Sequence, residues 1–153
     1  MHDLKADAIT SDLRTSGNTL SLWMIRDDKE LDDVFLALGA KMISFEKLEA
    51  IQIPEDCLGA FELDGSKEGD SPIASNRKNH RDIINLNYDS IGDMGMVVCQ
   101  CLNKKATVKR TRSEMKKLYL DAYKSGRLDV TFLNEDLRDR IMQEAEKMRE
   151  KSE

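Results

Sequence analysis

Apolar residues recur with helical spacing in four stretches of the chain, and short apolar or alternating runs lie between them. Leu31, Val34, Phe35 and Leu38 fall at i, i+3, i+4 and i+7, so they form one stripe of a helix. Asp27 and Glu30 have capping-box spacing at its start, and Gly39 or at the latest Met42 ends it. The longest helix is expected over 80–103, capped by Asn79, with Ile84, Tyr88, Ile91, Gly95, Val98 and Leu102 on one stripe. Ile83, Leu86, Met94, Met96 and Val97 lie off that stripe, so this helix reads as the central core element. Gly92 and Gly95 within it mark close packing or a kink. Thr111 and Glu114 form a capping box ahead of the stripe Met115, Leu118, Tyr119 and Ala122, and Gly126 suits the position just past that helix. Asn134 caps the last helix, whose stripe is Leu137, Ile141, Ala145 and Met148.

Strands are expected between these helices. Thr19–Ile25 is apolar on both parities toward its end, which predicts a buried strand. Ile51 and Ile53 alternate with Gln52 before Pro54, which predicts a strand over 49–53 and a short helix over 55–60. Ala106–Val108 and the alternating run 127–133 complete the set. Strand, helix and strand over 19–53 fit a βαβ crossover with parallel strands. The expected fold is therefore helix-rich α/β, with a small sheet of three to four strands in mixed orientation and a long central helix. One globular domain over 19–150 follows a flexible arm over 1–18, with a short helix around Ala8–Leu13. Residues 63–79, with Gly65, Gly69 and Pro72, read as a flexible loop without structure.

The chain has 153 residues, of which 35% are charged, with a net charge of -5. No stretch approaches the ~20 apolar residues of a membrane span. The start, Met1-His2-Asp3-Leu4-Lys5, has no apolar run behind a basic end, so a cytoplasmic protein is expected. Three cysteines, Cys57, Cys99 and Cys101, cannot all pair within one chain and read as reduced thiols. The charge is unevenly spread. Residues 1–70 carry 7 basic and 16 acidic side chains, and residues 71–127 carry 12 basic and 5 acidic. Such a distribution serves internal complementarity or two binding faces of opposite sign.

No catalytic set emerges. There is no nucleophile elbow, and His2 and His80 are the only histidines. On one helix over 80–103, His80 would lie about 28 Å from Cys99, too far for a Cys–His pair. Cys99 and Cys101, two apart on a helix, point in opposed directions and cannot grip one metal ion. His80-Arg81-Asp82 carries the letters of a kinase catalytic loop without the glycine loop or the other parts. Glu114-Met115-Lys116 sits on a helix, where a metal-dependent nuclease needs a strand. Neither phosphate-binding glycine motif is present. No cofactor, no metal and no enzyme activity is expected.

Two binding readings remain. Asp27, Asp28, Glu30, Asp32 and Asp33 crowd the head of the first helix, and an acidic half of this kind suits a protein-binding module that docks on a basic partner. The expectation is an inhibitor, immunity-type, antitoxin-like or adaptor protein. Charge reversal at Asp28, Asp32 and Asp33 is then expected to slow association and leave the fold intact. The alternative is nucleic-acid binding through 104–117, where Lys104, Lys105, Lys109, Arg110, Arg112, Lys116 and Lys117 give seven positive charges in fourteen residues.

Overall fold

The computed structural model describes residues 17–152, so the expected helix around Ala8–Leu13, most of the expected arm, and His2 lie outside the described residues. The structure is mixed α/β and rich in helix, as the patterns predict. In chain order it runs β1 (Leu20–Trp23), α1 (Asp28–Gly39), β2 (Leu48–Ile51), a 3-10 turn (Glu55–Leu58), β3 (Glu62–Asp64), a 3-10 helix (Ala74–Asn79), β4 (His80–Ile84), α2 (Tyr88–Asn103), β5 (Thr107–Arg110), α3 (Arg112–Lys124), a 3-10 turn (Val130–Phe132) and α4 (Glu135–Glu150). Among the described residues no helix is long and apolar enough to cross a membrane.

The strands form two antiparallel sheets, one of order β1-β4-β3 and one pairing β2 with β5. A βαβ crossover over 19–53 is therefore not formed. It required β1 and β2 to share a sheet, but β1 takes its partner from much later in the chain, with Leu20 opposite Ile83 and Trp23 opposite His80. For the same reason β1 is an edge strand, not a buried central one. The central place goes to β4, which also pairs with β3 through Leu63 opposite Ile83 and Asp64 opposite Asp82.

The expected helix over 80–103 is thus a strand over its first five residues and a helix only from Tyr88 on. His80–Ile84 alternate across the sheet, with Ile83 wholly buried. Asn85 then adopts φ +57, a conformation asparagine reaches more readily than most residues, and it turns the chain. The helix cap is Asn87, not Asn79. Its carboxamide accepts from the backbone N–H of Asp89 and Ser90, while the Ser90 hydroxyl accepts from the N–H of Asn87.

The contacts group into two compact units. The first comprises Met1–Trp23, Glu49–Lys67 and His80–Val108. Its core gathers Leu58, Ile83, Leu86, Met94 and Val98, with Leu20, Leu22, Ile51 and Leu63 packed against them. The second comprises Met24–Leu48, Glu68–Asn79 and Lys109–Glu153, and buries Phe35, Leu36, Met115, Tyr119, Leu137 and Ile141 almost completely. Each unit is assembled from three separated segments. No single linker divides them, which is why no boundary is visible along the chain.

Residues 63–79 carry structure where a loop without any was expected. Glu62–Asp64 is β3 and Ala74–Asn79 a 3-10 helix, and Ser71, Pro72, Ile73 and Asn76 are buried. The Asn76 carboxamide donates to the Ser71 hydroxyl at 3.2 Å. The strand expected over 127–133 shrinks to one bridge, Leu128 with Ile73. Asp129 accepts from both the backbone N–H and the hydroxyl of Thr131, and this local turn pulls the chain out of the extended state.

Candidate functional site

The acidic candidates come first, because the sequence favoured them. Asp27 caps α1 by accepting from the Glu30 N–H at 2.8 Å. Glu30 does not close the box onto Asp27; it accepts from the backbone N–H of Arg26 at 2.7 Å. Asp32 accepts two hydrogen bonds from Arg110, at 2.9 and 3.1 Å. Asp33 is 5% exposed and accepts from Arg127 at 2.7 Å. Asp28 is exposed. Asp32 and Asp33 also line a hollow of about 330 Å³ together with Lys29, Asp121 and Arg127, so its charge is mixed.

Two residues of the acidic set therefore meet cations from the later, basic part of the chain. Much of the charge asymmetry along the sequence is internal complementarity within the second unit, which carries 18 basic and 18 acidic side chains. Reversing Asp32 or Asp33 would set like charges against Arg110 and Arg127, so a reversal that spares the fold is confined to Asp28.

The basic candidates do not form one stripe either. Lys104 and Lys105 are exposed at the end of α2, in the first unit. Lys109 is exposed on β5, and Arg110 lies against Asp32 and over the Phe35 ring at 5.0 Å. Arg112 and Lys116 are different, and they open the site.

The capping box at Thr111 fixes where α3 begins. Thr111 accepts from the Glu114 N–H at 3.2 Å, and the Glu114 carboxylate accepts from the Thr111 N–H at 2.7 Å. That backbone bond, followed by the one from the Thr111 hydroxyl, holds the Glu114 carboxyl below the usual carboxylate range. Arg112 and Ser113 consequently occupy the first turn, where backbone N–H groups lack helical partners, and Lys116 follows one turn on. On α4, Leu137, Ile141 and Ala145 are buried. Arg140, Glu144 and Lys147, at i, i+4 and i+7, therefore share a flank beside that buried stripe.

The two flanks enclose a pocket of about 350 Å³ lined by Phe45, Arg112, Ser113, Lys116, Arg140, Gln143, Glu144 and Lys147. Four cations and one carboxylate thus converge on one space. Glu144 accepts from Lys116 at 2.6 Å and from Lys147 at 3.4 Å. These two ammonium groups, Lys116 foremost, hold its carboxyl below the usual range. Arg112 and Arg140 pair with no described residue. A concave surface with two unpaired guanidiniums is suited to an oxyanion, because the planar fork matches carboxylate and phosphate oxygens.

Arg140 and Lys147 are absent from both sequence-derived sets. Part of the signal was present: α3 and α4 are two capped amphipathic helices, but the strand expected over 127–133 hid the fact that the ten residues between them let the helices pack side by side. Once the helices pack, the cations flanking the α4 stripe lie beside those flanking the α3 stripe.

A second cluster carries the letters of hydrolysis without its geometry. Ser21 donates to Asp82 at 2.8 Å, and His80 Nε2 lies 3.5 Å from the same carboxylate oxygen. The carboxylate stands between serine and imidazole, so His80 is not placed to take the serine proton. Its ring instead makes an edge contact with Trp23, with centroids 5.2 Å apart.

No family model, curated protein or solved structure matches this chain.

Proposed function

We propose that the protein works by binding, and that it engages the phosphate backbone of a nucleic acid at the pocket between α3 and α4. The observation that carries this reading is the convergence of Arg112, Lys116, Arg140 and Lys147 on one cavity, with two guanidiniums unpaired among the described residues. Arg140 and Lys147 lie about 10 Å apart along α4 at ~1.5 Å rise per residue, so the flank can meet more than one phosphate of a chain. Contacts of this kind carry little sequence information and position the polymer by charge. The second unit is electrically balanced as a whole, so the pocket is a local concentration of charge, not part of a broadly basic surface. Modest, salt-sensitive affinity follows. A cytoplasmic setting suits this reading, and the three thiols Cys57, Cys99 and Cys101 are all unbridged.

The test is a titration with labelled single-stranded and duplex oligonucleotides at several salt concentrations. Wild-type protein is expected to bind at low salt with a Kd of about 1 to 100 µM that weakens steeply as salt rises. Replacing Arg112 and Arg140 with Ala together should weaken binding and flatten the logarithmic salt slope by ~1.4 for a single strand. No binding at low salt, or a slope unchanged in the double variant, overturns the reading.

A second reading keeps one observation of its own. The first unit carries 6 basic and 11 acidic side chains, so the whole net charge of the chain resides there. An inhibitor or adaptor that docks on a basic protein would use that unit in preference to the head of α1. Its exposed Glu55, Asp56, Asp89 and Asp93 are the residues to neutralise, with the association rate as the readout.

A further inference from the structure

We infer that Glu144 is a built-in competitor for the anion this pocket takes, so that the pocket is held partly closed to polyanions until the ligand displaces it. This rests on the anion-binding reading above. Among the described residues Glu144 is the one carboxylate in the lining, and it reaches from α4 to Lys116 of α3 at 2.6 Å while its other oxygen faces Lys147 at 3.4 Å. It makes with these two lysines the contacts that a phosphate oxygen would make. Half of the pocket's cations are thereby occupied from within, and Arg112 and Arg140 form the half that remains open.

A phosphate entering the pocket meets the two arginines at once, but gains Lys116 and Lys147 only by exchanging with Glu144. While Glu144 stays, its own charge repels the incoming anion. The arrangement sets a threshold. A single weak anion engages only the arginines, whereas a ligand presenting several phosphates can drive the carboxylate out. The side chain is 29% exposed, so it has room to swing into solvent once displaced.

Glu144→Gln is the discriminating variant, because the carboxamide oxygen still accepts from Lys116 and preserves the bond between the helices. Glu146→Gln is its control. It removes the same charge from the same helix, but two residues along and outside this pocket. With a labelled single-stranded oligonucleotide as probe, Glu144→Gln should tighten binding about fivefold at ~0.1 M salt and steepen the salt slope by ~0.7, the effect of one lysine charge no longer neutralised from within. Glu146→Gln should change affinity much less and leave the slope as it was. Equal tightening by both variants would show a general charge effect and overturn the inference. So would a Glu144→Gln protein that binds no tighter while Arg140→Ala still weakens binding; in that case the pocket reading survives alone. If neither wild type nor Glu144→Gln binds at the lowest salt, both readings fall together.

Discussion

Two glycines on amphipathic helices behave in opposite ways, and the difference is set by what surrounds each α-carbon. A methyl group on Gly39, at the end of α1, would meet the Tyr119 hydroxyl at 2.8 Å and the Met115 methyl at 3.2 Å. Both neighbours are wholly buried, so neither yields cheaply. On Gly92 of α2 the same methyl would meet nothing within 4 Å. Gly92 therefore does not mark close packing, contrary to what its place in an apolar helix predicts. Gly39→Ala should destabilise by about 1 to 3 kcal/mol, and Gly92→Ala should stabilise by about 0.5 to 1 kcal/mol. Denaturant midpoints of the two variants measure both, and a shift of the same sign in each would contradict the account.

Tyr119 links that packing to pH. Its hydroxyl donates to the Leu36 carbonyl at 2.8 Å. That carbonyl lies in the last turn of α1, where the N–H of Ala40 bonds to Ala37 instead. Burial pushes the phenol well above its ordinary pKa, so it stays protonated in the folded protein. Stability from this source is intact below the unfolded value of 10.0 and declines as the pH climbs past it, because the unfolded chain ionises first. Tyr119→Phe should cost about 1 kcal/mol at neutral pH. It should also remove part of the loss of stability seen above the ordinary tyrosine pKa, which a melting series across alkaline pH reads directly.

At the scale of elements, the helices were legible and the strands less so. Stripes and caps located α1, α3 and α4 from residues that act locally: Asp27, the Thr111–Glu114 box and Asn134 each satisfy the first turn of their own helix. What the stripe could not do was distinguish strand from helix over 80–84. The run there belongs to β4, whose partners Leu20 and Leu63 lie far away in sequence and leave no local mark. The ion pairs are of the same kind. Asp32 and Arg110 belong to opposite charge blocks of the sequence, and only folding makes them partners. Their side chains are 35% and 21% exposed, so a double-mutant cycle should give a coupling of about 0.2 to 1 kcal/mol. Swapping the pair, Asp32→Arg with Arg110→Asp, should recover stability that either single reversal loses. Additive losses would deny the pairing.

At the scale of the whole molecule, the charge map along the chain proved a poor guide to the charge map of the surface. The sequence contrasts an acidic first part with a basic middle, but the second unit draws on both and comes out balanced. The basic segment's position held the clue for Arg112 and Lys116, while Arg140 and Lys147 were hidden in a stretch whose net charge is acidic. Neutral sums conceal local sites, because binding responds to charge within about a Debye length, ~10 Å at 0.1 M salt, not to totals over a segment. The claim that the pocket between α3 and α4 receives an anion is tested most directly by nuclear magnetic resonance. Side-chain signals of Arg112, Arg140 and Gln143 and the amides of Arg112 and Ser113 are followed as a single-stranded oligonucleotide is added at low salt. The account predicts that these signals move first and together, and that added salt reverses the change. Perturbations that gather instead around Lys104 and Lys105, or on the acidic residues of the first unit, would contradict it.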